Sequence, residues 1–320
     1  MATVRTIPVL TLKELSKKED LFTHGHRLCS GCGAPIVVKM VLLASDYPIV
    51  ACSSTGCLEV SSCISQYTAW KIPWIHSAFE NAAATIAGVE TMYRVLKKKG
   101  RITKEIKFVT FCGDGGTYDI GLQSLSGTME RGHDMLYICY DNGAYMNTGI
   151  QRSSATPFGA DTTTCPAGSA IPGKTQERKN LTRIMTAHDI PYVAQASISN
   201  WSDLMKKVRK ALEINGPKFM NILSPCNRGW RSRTDDAVTL SRLAVDTCYW
   251  PLYEVKNGVT RITFKPKEKK PIVEFLNPQG RFKHLFKPGN EWMIKKLQED
   301  VDKEWARLEK EAAQFEYLYK

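Results

Sequence analysis

The sequence predicts an α/β fold, a parallel sheet with helices on both faces, and three observations carry that expectation. Apolar, β-branched runs alternate with stretches of helical periodicity through most of the 320 residues. Such βα alternation builds parallel sheets covered by helices. Two candidate ligand turns, Gly113-Asp114-Gly115 and Asp141-Asn142, each follow directly on a run that reads as a strand. Ligands of open parallel sheets bind at that end of the strands, so both turns can share one edge.

The strands expected in order are Pro48–Cys52, Ile106–Phe111, Met135–Tyr140, Pro191–Gln195 and Phe219–Leu223. Between them, Phe79–Lys99 reads as a helix whose end, Lys97-Lys98-Lys99-Gly100, suits a C-terminal cap and the negative end of the dipole. Shorter helices fit Ile120–Arg131 and Trp201–Asn215, the second closed by Asn215-Gly216-Pro217. The polar segment Ala155–Lys179 has no periodicity, and loops of that length in compact domains are functional or form interfaces. After about Tyr249 the pattern degrades, then recovers in the charged helix Glu291–Phe315. The chain therefore divides into an N-terminal extension (1–20), a ligand-binding domain (21–250) and a C-terminal arm (251–320) expected to pack on a partner subunit.

An apolar fraction of 43% and a charged fraction of 24% are ordinary for a globular protein. No apolar run is long enough to span a bilayer, and Met1–Asp20 lacks the apolar core of a signal peptide. The expectation is a cytoplasmic protein with no membrane association. In a reducing compartment, ten cysteines favour metal ligation or burial over disulfides. The net charge of +12 fits either nucleic acid or an acidic protein partner. The densest basic stretch, Lys265–Pro271, is broken by proline, and no run interleaves basic and aromatic residues. Nucleic acid is thus not expected.

Magnesium takes six oxygen ligands and draws several from substrate phosphates. Asp114 offers a carboxylate, Asn142 a side-chain carbonyl and Ala144 a main-chain carbonyl. Gly113, Gly115 and Gly116 let backbone approach a diphosphate, and a following helix would present its first amides to the same anion. Alone, Gly-Asp-Gly is a common tight turn. Asp141-Asn142 after the next strand, and Asn147-Thr148-Gly149-Ile150-Gln151 beyond it, turn it into a candidate clamp.

Four cysteines form the second constellation: Cys29 and Cys32 in a CxxC, Cys57 in Ser54-Thr55-Gly56-Cys57, and Cys226 in Ser224-Pro225-Cys226-Asn227-Arg228-Gly229-Trp230. A [4Fe–4S] cubane accepts one close pair plus two remote thiolates. A structural zinc site prefers two CxxC pairs, and buried thiols are the third possibility. Cys52, Cys63, Cys112, Cys139, Cys165 and Cys248 fall mostly in or beside apolar runs and read as core, with Cys52 and Cys63 as substitutes for Cys57.

Together these residues resemble the β subunits of pyruvate:ferredoxin oxidoreductases, within the multi-subunit 2-oxoacid:ferredoxin oxidoreductase family. The resemblance spans about Gly25 to Leu285. It is carried by Gly25–Gly33, Ser54–Cys57, Thr68–Asn81, Gly113–Asp119, Tyr140–Ser153, Ser224–Trp230 and Gln279–Phe282. Ser30 stands where many members have proline, which leaves the ligands untouched. The resemblance implies a thiamine diphosphate-binding fold. It implies Cys29, Cys32, Cys57 and Cys226 on one [4Fe–4S] cluster, and Asp114, Asn142 and the Ala144 carbonyl on Mg²⁺. Thr55, Gly56, Gly113, Gly115, Gly116 and Asn147 would touch the cofactor. It further implies coenzyme A-dependent oxidative decarboxylation of pyruvate to acetyl-CoA and CO₂, reversibly, with electrons passed to ferredoxin. Other 2-oxoacids (oxalate, branched-chain, indolepyruvate, 2-oxoglutarate) and a non-redox decarboxylase with structural zinc are the alternatives. The glutamate that activates the cofactor is expected from a partner subunit, so Glu59, Glu80 and His76 are given no catalytic role.

Overall fold

The computed structural model describes residues 11–318. Eight strands form one sheet in the order β2-β1-β3-β4-β6-β5-β7-β8. They are β1 (Ile49–Ser54), β2 (Trp74–Ser77), β3 (Lys107–Gly113), β4 (Leu136–Asp141), β5 (Tyr192–Ser197), β6 (Lys218–Leu223), β7 (Leu252–Lys256) and β8 (Val259–Phe264). The first six pair in parallel, while β7 and β8 add an antiparallel margin. β4, β5 and β6 are buried along their whole length, as strands covered on both faces must be.

One face carries the helices Gly33–Ala44 and Trp201–Glu213 over Val109, Phe111, Ile138 and Ile222. The other carries Ala82–Lys98 and Leu122–Glu130 over Phe108, Tyr137 and Phe219. Trp201–Glu213 buries Leu204, Met205, Val208, Ala211 and Leu212, the i, i+3/i+4 stripe of a core-facing helix.

β2 lies on one side of β1, and β3 and β4 lie on the other. The strand order therefore reverses between β1 and β3, and a crevice opens at their carboxyl ends.

The C-terminal arm, expected to pack on a partner subunit, also packs within its own chain: β7 pairs with β5 of the same sheet, Val193 opposite Val255. Ile272, Phe275, Phe282, Leu285, Met293 and Leu297 then bury against Trp230, Leu240 and Trp250. The short, charged β7 and β8 lack the long apolar signature of the central strands, which hid them in the sequence. Of the N-terminal extension, residues 1–10 lie outside the described residues. Lys18 ties the remainder to the chain by donating to the carbonyls of Leu43 and Ser45, both at 2.9 Å. Among the described residues no helix is long and apolar enough to cross a membrane.

Candidate cofactor and metal centre

β1 runs into Thr55-Gly56, and Cys57 opens the short helix Cys57–Ser62. β3 delivers Asp114, and β4 ends in Asp141. One cavity collects these turns. Thr55, Gly56, Cys57, Gly113, Asp114, Gly115, Asn142, Ala144 and Asn147 all line it. Of the cofactor and hard-cation residues expected from the sequence, Gly116 alone is missing. A Cβ on Gly116 would lie 2.7 Å from Cys112 Sγ, so close packing rather than ligand approach requires glycine there. The helix expected over Ile120–Arg131 is found at Leu122–Glu130, and a π-helical turn, Gly115–Ile120, closed by Gly121 N donating to Gly116 O at 2.8 Å, precedes it. Such turns interrupt helices at functional sites.

Asp114 is buried and held from two sides. Its Oδ1 accepts from the Asn142 amide nitrogen at 3.2 Å, and its Oδ2 accepts from Ser153 Oγ at 2.5 Å. Burial, and then the neighbouring Asp141, push its carboxyl up to about 8. Asp141 itself turns away from the cavity. Its Oδ2 accepts from Arg178 Nη2 at 2.6 Å and from the Tyr118 hydroxyl at 2.6 Å, which neutralises it behind the site.

The Asn142 side chain is the informative group. One of its terminal amide atoms lies 2.9 Å from both Asp114 Oδ1 and the Ala144 carbonyl oxygen. With nitrogen in that position it donates to both. With oxygen there, three oxygens face one another, an arrangement that a cation between them stabilises. Octahedral magnesium, with bonds of about 2.1 Å, spaces neighbouring ligand oxygens about 2.9–3.0 Å apart. The residues fit that ion.

Trp230 Nε1 donates to the main-chain carbonyl of Asn142 at 2.6 Å, and the buried Arg281 guanidinium lies 4.1 Å from the Trp230 ring centre. The arm thus supports the site from behind. Beside the cavity, Tyr145 and Gln151 bridge across a tight loop that holds Ile150 at φ 65, a strained setting for a β-branched residue.

Of the four thiols Cys57 lines the cavity, and the other three lie near enough to bear on one another's charge. Cys226, Cys57 and Cys29 all bear electrostatically on Cys32. Cys226 and Cys29 likewise bear on Cys57. Backbone bonds lock the loops together: Cys32 N donates to Cys29 O at 3.1 Å and Gly33 N to Pro225 O at 3.0 Å. Gly31, at φ 78, packs so tightly that a Cβ would sit 2.0 Å from Thr234 O. Burial pushes the Cys32 thiol up to about 12 and Cys57 to about 11, and raises Cys226 as well. Cys29 is exposed. Among the described residues no three His, Cys, Asp or Glu side chains gather closely enough for a single metal ion. Cys52 is fully buried in β1 and is influenced by Cys112, while Cys63 turns to Glu59, so neither joins the four.

Glu80 is exposed. Glu59 is buried and accepts from the Cys63 thiol at 3.0 Å, and His76 reaches Thr55 Oγ1 at 2.9 Å. Sequence reasoning missed the roles of Ser153, Arg178, Tyr118 and Arg281. Ser153 and Arg281 sit inside quoted motifs without a chemical signature, and Arg178 was signalled only by its long loop. A larger cleft, of about 410 Å³, lies between the sheet and the helix Glu291–Ala313 and contains none of the expected ligands.

Comparison with known proteins matches residues 54–222 to the family of the thiamine pyrophosphate enzyme C-terminal, TPP-binding domain. A pyruvate synthase subunit PorB of Thermotoga maritima is 55% identical over 302 residues, covering 92% of this chain and 93% of that protein. The PorB subunit of Methanocaldococcus jannaschii is 53% identical, covering 84% and 91%. A ketoisovalerate oxidoreductase subunit VorB of Pyrococcus abyssi is 44% identical, covering 93% and 95%. A solved structure, the 2-oxoglutarate:ferredoxin oxidoreductase of Magnetococcus marinus, shares the fold with a TM-score of 0.53. It is 21% identical and covers 70% of this chain and 79% of that one.

Proposed function

We propose, for a chain that belongs to the β subunits of the 2-oxoacid:ferredoxin oxidoreductases, that its substrate is pyruvate and its cofactors are thiamine diphosphate, Mg²⁺ and one [4Fe–4S] cluster. The reaction is coenzyme A-dependent oxidative decarboxylation to acetyl-CoA and CO₂, run in either direction with ferredoxin. The observation that carries the reading is the spacing of Asp114 Oδ1, the Ala144 carbonyl and the Asn142 amide, which suits magnesium beside the β1–β3 crevice. Pyruvate is favoured because the relatives at 55% and 53% identity are named pyruvate synthase subunits. A branched-chain 2-oxoacid is the second reading, supported by the ketoisovalerate subunit at 44%.

When bound, thiamine diphosphate supplies a carbon nucleophile and an electron sink for breaking the bond beside a 2-oxo group. This chain's residues bind and orient. Asp114, Asn142 and the Ala144 carbonyl would hold magnesium, and Ser153 fixes the Asp114 carboxylate by donating to it. Thr55, Gly56, Gly113, Gly115 and Asn147 wall the cavity. Cys57 Sγ stands 3.8 Å from Asn147 Oδ1, so a cage thiol is part of the cofactor wall. One CxxC pair plus two remote cysteines, all four within electrostatic reach, supports a cubane over a zinc site, which prefers two CxxC pairs. No glutamate lines the cavity among the described residues, which supports an activating carboxylate from a partner subunit. Ten unpaired cysteines support a cytoplasmic setting.

The test is an anaerobic visible spectrum with iron and sulfide analysis of this chain purified alone, together with pyruvate-dependent ferredoxin reduction by the complex. About four irons for each copy of this chain are expected here, with activity that needs thiamine diphosphate and the partner subunits. A colourless, zinc-bearing chain, or full activity from this chain alone, overturns the proposal.

A further inference from the structure

Three groups at the cavity mouth form a line that the clamp and the cage leave unused. Glu59 is buried on the helix that Cys57 opens, and its Oε1 lies 3.6 Å from His76 Nδ1. That separation is too long for a hydrogen bond, yet a carboxylate so near favours the ring hydrogen on Nδ1. Trp74 stacks on the imidazole with planes 9° apart and is itself anchored by Nε1 donating to Ser53 Oγ at 3.0 Å. The ring is thereby held in plane, with Nε2 directed at Thr55 Oγ1 at 2.9 Å. A ring hydrogen on Nδ1 leaves Nε2 with a lone pair, so the Thr55 hydroxyl donates to it. The competing acceptor for that hydrogen, the Ser77 carbonyl, is farther away at 3.3 Å. Thr55 lines the cavity.

We propose that His76 is a positioning residue: held by Glu59 and Trp74, it takes the Thr55 hydroxyl hydrogen, so that Thr55 meets the bound cofactor as a hydrogen-bond acceptor. The inference rests on the thiamine diphosphate reading above. His76 does not line the cavity and acts through Thr55, which does. It orders a hydroxyl that would otherwise rotate among Nε2, Ser77 O and the cavity.

The test is a calorimetric titration of thiamine diphosphate, at fixed Mg²⁺, into the purified complex stripped of thiamine. His76→Asn, whose side chain is too short to reach Thr55, should weaken binding about 3- to 10-fold, the range for one oriented hydrogen bond. His76→Gln, which can bring an amide oxygen near the Nε2 position, should stay within about twofold of the unmodified complex on the same scale. Thr55→Val should weaken binding as much as His76→Asn, and the double variant no further, because the two residues share one contact. Additive losses, or unchanged binding in His76→Asn, overturn the inference. Absence of thiamine diphosphate binding to the unmodified complex sinks the cofactor reading as well, so the two failures are distinct.

Discussion

Loading magnesium and thiamine diphosphate should expel close to one proton at neutral pH, and the source is Asp114. Its carboxyl is pushed from 3.8 up to about 8, by burial first and Asp141 second. A group with that pKa is about nine-tenths protonated at pH 7, half at pH 8 and about one-tenth at pH 9. A magnesium ligand must be ionised, so binding releases most of a proton at pH 7 and progressively less as pH rises past about 8. Below pH 7 the apparent affinity should fall about tenfold per unit. Calorimetry of the thiamine-free complex in buffers of different ionisation enthalpy reads the number directly, after subtraction of protons released when magnesium and cofactor mix alone. Tight binding at pH 7 without buffer-dependent heat would refute the reasoning, because Asp114 would then be ionised beforehand. The same shift fixes a sign for stability. Between about pH 4 and 8 the folded chain holds a proton that the unfolded chain has lost, so the protein alone weakens as pH rises across that window. Bound magnesium removes this dependence, and thermal melts with and without it check the direction.

Ser153→Ala removes the hydroxyl that donates to Asp114 Oδ2, and should weaken magnesium and cofactor binding about tenfold or more, the cost of a hydrogen bond to a charged group. Calorimetry measures it, with the melting temperature as the control for folding. Cys57→Ala should lose the brown absorbance and most of the iron, whereas Cys52→Ala and Cys63→Ala should keep both, because neither thiol joins the four. Gly31→Ala places a methyl group against the Thr234 carbonyl at a left-handed backbone position, so iron content after anaerobic reconstitution should fall sharply. Removal of residues 251–320 strips the antiparallel margin and the apolar cover of Trp230 and Trp250, so the truncated chain should be recovered only as aggregate. A monomeric, cooperatively melting product would show that the arm is dispensable.

The sequence carried the central sheet because β1, β3, β4, β5 and β6 are covered on both faces and must be continuously apolar, a signal that survives in one chain read alone. β2 was hidden because Trp74–Ser77 is only four residues long and part-exposed, and β7 and β8 because Glu254, Lys256 and Arg261 interrupt them. The gathering of the candidate clamp residues around one cavity was legible for a related reason: they sit at strand ends, where a short motif marks the turn. Ser153, Arg178 and Arg281 were not, since each reaches the site from elements distant in sequence, and a serine or arginine in a polar loop has no spacing that betrays its target. The π-helical turn after Asp114 was likewise unreadable, because it depends on Gly116 meeting Cys112, a contact that only the folded sheet creates.

The placement of the two centres follows from that topology. A reversal of strand order opens one crevice, and the first turn on its β1 side, Thr55-Gly56, is only two residues long before Cys57 begins a helix. Thr55 and Gly56 must therefore face the cofactor cavity while Cys57, next in the chain, faces the other thiols. Covalent geometry alone holds neighbouring residues within a few ångströms, about 3.8 Å from one Cα to the next. Thr55 of the candidate cofactor wall and Cys57 of the candidate cage are thus tethered through one peptide segment, not through contacts that side-chain motion can loosen. Cys226, Cys29 and Cys32 close the cage from two other loops, and Gly33 packed on Ser224 and Pro225 keeps those loops in register. Lengthening the Thr55–Cys57 turn by one glycine tests this coupling. The cage and the clamp should each still load, as iron content and calorimetry report, while electron transfer to ferredoxin slows in stopped-flow traces. Unchanged transfer would mean that the spacing of the centres is set by the surrounding loops instead.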